Sequence, residues 1–296
     1  MTIDIVICTK DRREDLQRCL NSLARQSEPP DRVILVDASV HPIEPDLPFG
    51  LSIEFVHTRP GLTHQRNVGL ALATAELVAF FDDDMELAGD YLSHVCDWFR
   101  SHPACAGVSG NIVNEPRRPT VSKLFRSLFC LANDDGILRP SGDAAYLRHP
   151  TRETRVHSLS GGNMIFSQRA NRDLRFDEEL PLYGGEDVDF SLRASRYGEL
   201  WMLPYARVVH HQSQTGRMAK RQYVREVITT SAYLFGKHRR EFGLRRPAFA
   251  RRIVGRSIAY LLLSIAYRSP DPVLGLIDGI PQIPSMIARG AKREST

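Results

Sequence analysis

The stretch Glu76–Asp84, ELVAFFDDD, decides the fold class of this 296-residue chain. Its apolar part predicts a buried strand, which runs directly into three aspartates. Side chains alternate along a strand, so Asp82 and Asp84 are expected to face one way and Asp83 the other. Two carboxylates on one face repel each other unless a cation lies between them. Because hard divalent cations take oxygen ligands and substrate phosphates, the motif favours a diphosphate–metal site; a solvated acidic turn is the alternative.

Strand and helix patterns alternate on both sides of this stretch. The other predicted strands are Ile3–Thr9, Arg32–Ser39, residues 51–57, 105–113, Ser158–Ser167, 199–204 and 206–211, and the predicted helices are Arg13–Gln26, Thr63–Ala75 and Leu87–Ser101. This alternation predicts an α/β fold with a mostly parallel sheet and right-handed crossovers. Ligands bind beyond the carboxyl ends of strands in such sheets, and Thr9, Asp37 and Asp82 lie at such ends. We therefore expect a ligand cleft there.

The pattern changes twice in the second half of the chain. Residues 114–157 are predicted to be irregular, either a mobile acceptor region or an ordinary surface insertion. From about residue 214 the sequence predicts helices rich in arginine. We expect a nucleotide-binding domain over residues 1–213 and a basic helical C-terminal extension over residues 214–296.

Composition and charge narrow the class of protein. The five cysteines are odd in number and form no C-x-x-C pair, which favours reduced thiols in a reducing compartment. The N-terminus has no pattern of a signal peptide, and no apolar run is long enough to cross a bilayer. These features predict a cytoplasmic location. The net charge of +4 does not by itself indicate nucleic acid, and no nucleic-acid-binding module is recognised.

Residues 217–256 are dense in lysine and arginine and are followed by apolar helical faces. A basic amphipathic helix favours a peripheral contact with an anionic membrane. The alternative is a set of helices that pack on the first domain and expose a solvated arginine face. Both interpretations stay open at this point.

Two motifs carry candidate chemistry late in the predicted α/β domain. In GGEDVDF, Gly184–Phe190, Glu186 and Asp187 fall at a helix start, where a carboxylate can act as a general base or simply cap the helix. In VVHHQS, residues 208–213, two adjacent histidines on a strand point to opposite faces. One of them is expected to face the cleft, where a neutral imidazole can complete a metal shell begun by Asp84; a structural histidine is the alternative.

A further motif, GLTHQRNVGLA over residues 61–71, places Arg66 near the start of a helix. An arginine there can pair with phosphate, and the helix N-terminus assists. A surface arginine is the alternative.

The order of these motifs is more specific than any one of them. CTKDR, LVDAS, RNVG, FFDDD, SGGN, GGEDVDFSLR and ARVVHH follow one another between Ile3 and Ser213, and this order resembles glycosyltransferase family 2. The resemblance implies a GT-A fold and an inverting transfer of a sugar from a UDP-, dTDP- or GDP-sugar. It also implies Mn²⁺ or Mg²⁺ as cofactor and a glycan or lipid-linked acceptor in cell-surface polysaccharide or glycolipid synthesis.

The resemblance also implies a role for each candidate site residue. Those implied to contact the donor are Thr9, Asp37, Arg66, Asp82 and Asp83; those of the sugar and acceptor pocket are Gly162, Asn163 and Glu186; the metal ligands are Asp84 and His210; the catalytic base is Asp187. His210 fits better than His211, because the family's histidine directly follows the hydrophobic pair.

Two other classes compete with a glycosyltransferase. A sugar nucleotidyltransferase also uses paired acids and Mg²⁺, but it is expected to carry a glycine-rich loop after the first strand, and CTKDRRED contains no glycine. A catalytically inactive GT-A-like protein acting as a membrane-bound assembly partner is the second. The presence of Asp84, Asp187 and His210 argues against it.

Overall fold

The structure is a computed structural model and describes residues 1–43, 45–46, 48–180, 184–213 and 218–293. Its contacts divide the chain into two compact units. The first, here the sheet unit, comprises Met1–Pro116, Tyr146–Glu178 and Glu186–Thr215. The second, here the helical unit, comprises Arg117–Ala145, Glu179–Gly185 and Gly216–Thr296. Residues 117–145 thus group with the C-terminal helices, and the domain boundary expected near residue 213 stays a prediction.

Nine strands of the described chain form one sheet. They are β1 (Ile3–Thr9), β2 (Arg32–Asp37), β3 (Ile53–His57), β4 (Leu77–Asp82), β5 (Met85–Leu87), β6 (Gly107–Ile112), β7 (Thr154–Val156), β8 (Asn163–Ser167) and β9 (Leu200–His210). Their order is β3-β2-β1-β4-β8-β6-β9-β5, with β7 also paired to β9.

The sheet is mixed in direction. Strands β1 to β4 pair in parallel, as does β6 with β9. Strand β8 is antiparallel to both β4 and β6, and β5 and β7 are antiparallel to β9. The expectation of a mostly parallel sheet therefore holds only for part of it. An apolar run predicts burial but carries no information on strand direction.

The helices are divided between the units. The sheet unit contains α1 (Arg13–Ala24), α2 (Leu62–Leu72), α3 (Tyr91–Ser101), α5 (Gln168–Asn171) and α6 (Glu186–Ala194). The helical unit contains α4 (Thr120–Leu128), α7 (Lys220–His238), α8 (Arg246–Tyr267), α9 (Asp271–Gly279) and α10 (Ile283–Ala291), with a 3₁₀ turn at Ile280–Gln282.

Three predictions on local structure were wrong. The segment 114–157, expected to be irregular, contains α4 and β7. The helix expected from Leu87 begins at Tyr91, because Met85–Leu87 pairs with β9 as β5. The two short strands expected over residues 199–211 are one strand, β9, whose register against β6 shifts between Gly110 and Asn111. In each case the residues take their structure from contacts with a strand or unit that is distant in the sequence.

The sheet core fixes the edge where the candidate site lies. Side chains on both faces of β1 are buried, with Ile5 and Ile7 in one apolar cluster and Val6 in the other. Each such side chain contributes about 1.5–3 kcal/mol when it is fully removed from water. Cys8 at the end of β1 is in register with Asp82 at the end of β4. The two carboxyl ends are therefore held side by side by the packing beneath them.

A buried ion cluster organises the helical unit. The Asp143 carboxylate lies 2.7 Å from Nη2 of Arg252 and 2.9 Å from Nη2 of Arg256, and it accepts the Ala132 N–H at 2.8 Å. Burial acts to raise the pKa of Asp143, but the two guanidinium groups outweigh it and hold that pKa well below its usual range. Arg252 and Arg256 thus anchor the loop after α4 onto α8 and do not form a solvated basic face. No helix in the described ranges combines the length and apolarity needed to cross a bilayer.

Candidate active site

The three aspartates at the end of β4 have three different sets of partners. Strand β4 ends at Asp82, and Asp83 and Asp84 form the turn into β5. Asp83 is buried; its Oδ2 accepts the Thr9 hydroxyl at 2.7 Å and its Oδ1 accepts Nη1 of Arg12 at 3.1 Å. Burial raises the pKa of Asp83 to about 7, although Thr9 and Arg12 act to lower it. Asp83 therefore ties β4 to the loop after β1, and both its oxygens are engaged.

Asp84, the last of the three aspartates, lies beside His210. Oδ2 of Asp84 accepts the Ser213 N–H at 2.9 Å, whereas Oδ1 lies 3.3 Å from Nε2 of His210 and has no hydrogen-bond partner. Burial acts to raise the pKa of Asp84, but His210, the Ser213 N–H and Arg12 together hold that pKa below its usual value. A buried carboxylate oxygen without a donor is costly unless a cation or ligand satisfies it. This orphaned oxygen beside an imidazole fits a divalent metal.

The described residues supply no third histidine, cysteine or acid to this pair. A bound Mn²⁺ or Mg²⁺ would therefore complete its shell with phosphate oxygens and water, as such ions commonly do. His210 is fixed from behind by Asn114, which donates to the His210 carbonyl at 2.8 Å and accepts its N–H at 3.0 Å. His211 turns away, with Nε2 2.9 Å from Oε2 of Glu86. His210, the last residue of β9, thus lies beside Asp84, and His211 does not.

Asp82, the first of the three aspartates, is bound by Arg66. Arg66 is almost fully buried in α2 and donates to Oε1 of Glu186 at 2.9 Å, to Oδ1 of Asp82 at 3.2 Å and to the Gly161 carbonyl at 2.7 Å. Burial acts to lower the pKa of Arg66, but Glu186 and Asp82 outweigh it, so the guanidinium stays charged. The Arg66 guanidinium thus holds together the C-terminal end of β4, the start of α6 and the loop before β8.

Asp187 stands beside this cation at the start of α6. Its Oδ1 accepts the Val188 N–H at 2.8 Å and its Oδ2 accepts the Gly161 N–H at 3.2 Å. Burial raises the pKa of Asp187 to about 7, and the neighbouring Glu186 adds to the rise. A carboxylate with a pKa near neutrality can take a proton and later release it, which is what general-base catalysis requires.

Gly162 lies beside Asp82 at the site, whereas its neighbour Asn163 is buried in the sheet. A Cβ at Gly162 would lie 2.5 Å from Oδ2 of Asp82 and 2.6 Å from Cε of Met85, so any larger residue would have to displace the ends of these two side chains. Asn163 is completely buried and donates to the Gly110 carbonyl at 2.8 Å. Its amide oxygen accepts the Tyr91 hydroxyl. Asn163 therefore holds β8 to β6, and the structure does not bring it to a pocket surface, contrary to expectation.

Gly162→Ala is expected to displace the Asp82 carboxylate, because the added methyl group overlaps it. We expect affinity for a nucleoside diphosphate with Mn²⁺ to fall by about tenfold, with little change in the unfolding temperature of the ligand-free protein. Isothermal titration calorimetry on the two proteins measures this. Equal affinities would contradict a role of the Asp82 position in donor binding.

Asp37 is also completely buried. Oδ1 accepts the N–H of Ser39 at 2.9 Å and its hydroxyl at 2.6 Å, and Oδ2 accepts the Ile43 N–H at 2.8 Å. In this conformation the carboxylate shapes the loop after β2. Its contact with the donor stays a prediction.

Two residues of the site were not predicted from the sequence. Arg12 follows Thr9 by three positions in the loop at a strand end, a position that favours a functional role. Asn114 gives no such signal, because it reaches His210 across 96 positions of sequence.

A family model for Glycosyl transferase family 2 matches residues 4–175. Succinoglycan biosynthesis protein ExoM of Rhizobium meliloti is 34% identical over 137 residues, which cover 42% of this chain and 43% of the relative. Pre-mycofactocin glycosyltransferase of Mycobacterium tuberculosis is 28% identical over 281 residues, covering 89% of this chain and 53% of the relative. The chain spans about half the length of these curated relatives.

Solved structures share the fold. The crystal structure of S. aureus TarS 1-349 has a TM-score of 0.57 at 18% identity, covering 98% of this chain and 83% of that one. Mannosyltransferase PcManGT from Pyrobaculum calidifontis, in complex with GDP-Man and Mn²⁺, has a TM-score of 0.54 at 15% identity, covering 99% of this chain and 86% of that one. The GT-A fold expected from the sequence is thereby confirmed.

Proposed function

The chain belongs to glycosyl transferase family 2, and from this premise we propose that it transfers a sugar from a nucleoside-diphosphate sugar to a hydroxyl acceptor with inversion at the anomeric carbon. The observation that carries the proposal is the buried Asp84 oxygen without a hydrogen-bond partner, 3.3 Å from His210. A divalent cation with a diphosphate would satisfy both groups, whereas within the described residues Asp84 Oδ1 has only the 3.3 Å ion pair with His210.

Asp84 and His210 would hold Mn²⁺ or Mg²⁺. The ion, when bound, neutralises charge on the diphosphate leaving group. PcManGT, a protein of the same fold, was crystallised with GDP-Man and Mn²⁺. Thr9 and Asp83, joined by a hydrogen bond of 2.7 Å, are proposed to line the donor side, together with Asp82.

Arg66 is proposed to act on the donor side by fixing Asp82, because its guanidinium is already shared among two carboxylates and a carbonyl. These hydrogen bonds use three of the five guanidinium N–H groups, and the proposed role does not require direct contact with phosphate. The same cation orients Glu186, which borders the proposed acceptor pocket with Gly162.

Asp187 is proposed as the base that takes the proton of the acceptor hydroxyl. Its position in the Glu-Asp pair at the start of α6 and its raised pKa support this role. Attack of that hydroxyl from the side opposite the nucleotide inverts the anomeric carbon. Charge develops on the leaving diphosphate as the glycosidic bond breaks, and fixed positive charge near it lowers the barrier.

The acceptor is proposed to be a glycan or a lipid-linked sugar in cell-surface polysaccharide or glycolipid synthesis. The similarity to ExoM, a succinoglycan biosynthesis protein, supports this class. We further propose that the protein works in the cytoplasm, in peripheral contact with an anionic membrane.

Thermal unfolding with UDP, dTDP and GDP, each with and without Mn²⁺, tests the donor site. One nucleotide at about 100 times its Kd is expected to stabilise the wild type by roughly 2.7 kcal/mol, but only with Mn²⁺. Asp84→Ala is expected to abolish this stabilisation, because it removes the orphaned oxygen. Asp173→Ala, at an exposed position of the sheet unit, is the matched control and is expected to behave as wild type. Absence of any nucleotide–metal effect on the wild type would favour the inactive assembly partner instead.

The rate of transfer is expected to depend on pH through Asp187. Since a base acts only when deprotonated, kcat/KM is expected to rise about tenfold per pH unit below neutrality and to level off above the Asp187 pKa of about 7. Initial rates across a pH series measure this. A flat profile between pH of about 5 and 8 would show that Asp187 does not titrate in the free enzyme.

A further inference from the structure

Helix α4 exposes its apolar side chains. Val121, Leu124 and Leu128 are 79%, 73% and 64% exposed, and α4 contains no buried residue. Their spacing of three and four positions places them in one stripe of the helix surface. Scattered exposed apolar residues are ordinary, but a continuous stripe marks a surface that contacts something apolar.

Helix α8 carries a second, longer exposed stripe. Val254, Ile258, Leu261 and Ile265 follow one another at spacings of three or four positions, and all are exposed. Exposed arginines stand one turn before and one turn after this apolar run, at Arg251 and Arg268. Three further exposed apolar side chains surround its C-terminal half: Leu262, Leu263 and Tyr267.

The two stripes belong to one compact unit. Phe129, just after α4, packs so closely on Gly255 of α8 that a Cβ there would lie 2.3 Å from the Phe129 Cβ. Inside the unit, α8 is held by Arg252 and Arg256, which pair with Asp143. Helix α8 therefore uses other side chains for packing inside the unit, Phe129 anchors the end of α4, and both helices leave their apolar stripes to solvent.

We propose that the exposed stripes of α4 and α8 form a docking surface for the interface of an anionic lipid bilayer. Neither helix contains an aspartate or glutamate, whereas Lys123, Arg251 and Arg268 are exposed along or beside the stripes. Apolar side chains that enter the acyl boundary, with flanking cations at headgroup level, are what interfacial binding requires. Tyr267 at the end of the stripe has the amphipathic character suited to that depth.

The charges favour lipid over a second copy of the chain. A two-fold contact through the α8 stripe would bring the cationic ends, Arg251 and Arg268, against the same cations of the other copy. Lipid phosphates offer the opposite charge at the same positions. This inference deepens the peripheral contact proposed above and does not depend on the chemistry of the sugar-transfer site.

Vesicle co-sedimentation of the full chain tests the surface. Wild type is expected to bind vesicles of phosphatidylcholine with about one-third phosphatidylglycerol and to bind pure phosphatidylcholine at least about tenfold more weakly. Leu124→Glu/Leu128→Glu and Leu261→Glu/Ile265→Glu are each expected to lower binding to the anionic vesicles by about tenfold or more, because a charge replaces an inserted apolar group. Val40→Glu, at a 77% exposed position of the sheet unit, is the matched control and is expected to bind as wild type.

Thermal unfolding of each variant with and without nucleotide and Mn²⁺ separates this inference from the proposed function. A double variant that keeps the wild-type unfolding temperature and nucleotide response but loses vesicle binding supports the docking surface. Vesicle binding without any nucleotide response in wild type would contradict the transferase proposal and leave the docking surface supported.

Failure of wild type to bind anionic vesicles, or unchanged binding by both double variants, overturns the docking-surface proposal. A wild-type dimer that dissociates in Leu261→Glu/Ile265→Glu, with no vesicle binding, overturns it in favour of self-association.

Discussion

Asp187→Asn is expected to lower kcat for sugar transfer by about 10²–10⁴-fold. The amide has nearly the same shape as the carboxylate but cannot accept the proton of the acceptor hydroxyl. Affinity for the nucleotide with Mn²⁺ is expected to stay near that of wild type, because Asp187 touches neither Asp84 nor His210. Steady-state kinetics with the donor identified by thermal unfolding, together with calorimetric titration of the nucleotide, measures both quantities.

Asp173→Asn provides the matched control, since Asp173 is an exposed aspartate of the same unit. It is expected to leave kcat unchanged. Should Asp187→Asn retain kcat within about threefold of wild type, another group must accept the proton. Loss of nucleotide binding together with kcat would instead assign Asp187 to donor binding.

Arg66→Met is expected to reduce the free energy of unfolding by about 3–5 kcal/mol, because it leaves two carboxylates with no cation between them. The Arg66 side chain is 3% exposed, and its partners Glu186 and Asp82 are 13% and 36% exposed. Methionine fills much of the volume, so the loss is due chiefly to unpaired charge. Since Asp82 is partly exposed to water, a value near the lower end is expected.

Urea unfolding followed by circular dichroism measures this loss. Arg59→Met removes an exposed ion pair to Glu178 in the same unit and is expected to cost less than about 1 kcal/mol. Arg66→Lys keeps the charge but loses the forked geometry, so we expect an intermediate loss. If Arg66→Met were as stable as Arg59→Met, the ion cluster would contribute no net stability.

The periodicity of apolar residues was enough to place the main strands and helices of the sheet unit. The predicted strand Ile3–Thr9 matches β1, and the predicted helix Arg13–Gln26 differs from α1 by two residues. Local patterns act within a few residues of chain, which is why they succeed for these elements. They failed for α4, β5 and β7, whose environments come from distant parts of the chain.

The order of the motifs led to the correct family, and the strand ends brought the expected acids to one edge of the sheet. Asp82, Asp83 and Asp84 are consecutive, yet Arg66, Thr9 and His210 each contact a different one of them. The sequence patterns indicated only the pairing of His210 with Asp84 and did not assign the partners of Asp82 and Asp83. Likewise SGGN gave no sign that Asn163 is buried against β6 while Gly162 stays beside Asp82.

The sequence by itself determined which residue types stand at the ends of the strands, because burial of apolar side chains fixes where each strand stops. It did not determine what each polar side chain contacts there. That was decided by the pairing of β4 with β1 and of β9 with β5 and by the packing of α2 and α6, which bring groups from distant positions within hydrogen-bond distance. The same holds for the arginines of α8: composition predicted a basic face, whereas contacts with Asp143 bury Arg252, half-bury Arg256 and leave apolar stripes outside. Hydrogen bonds and ion pairs depend on distances of a few ångströms, and only the folded chain sets them.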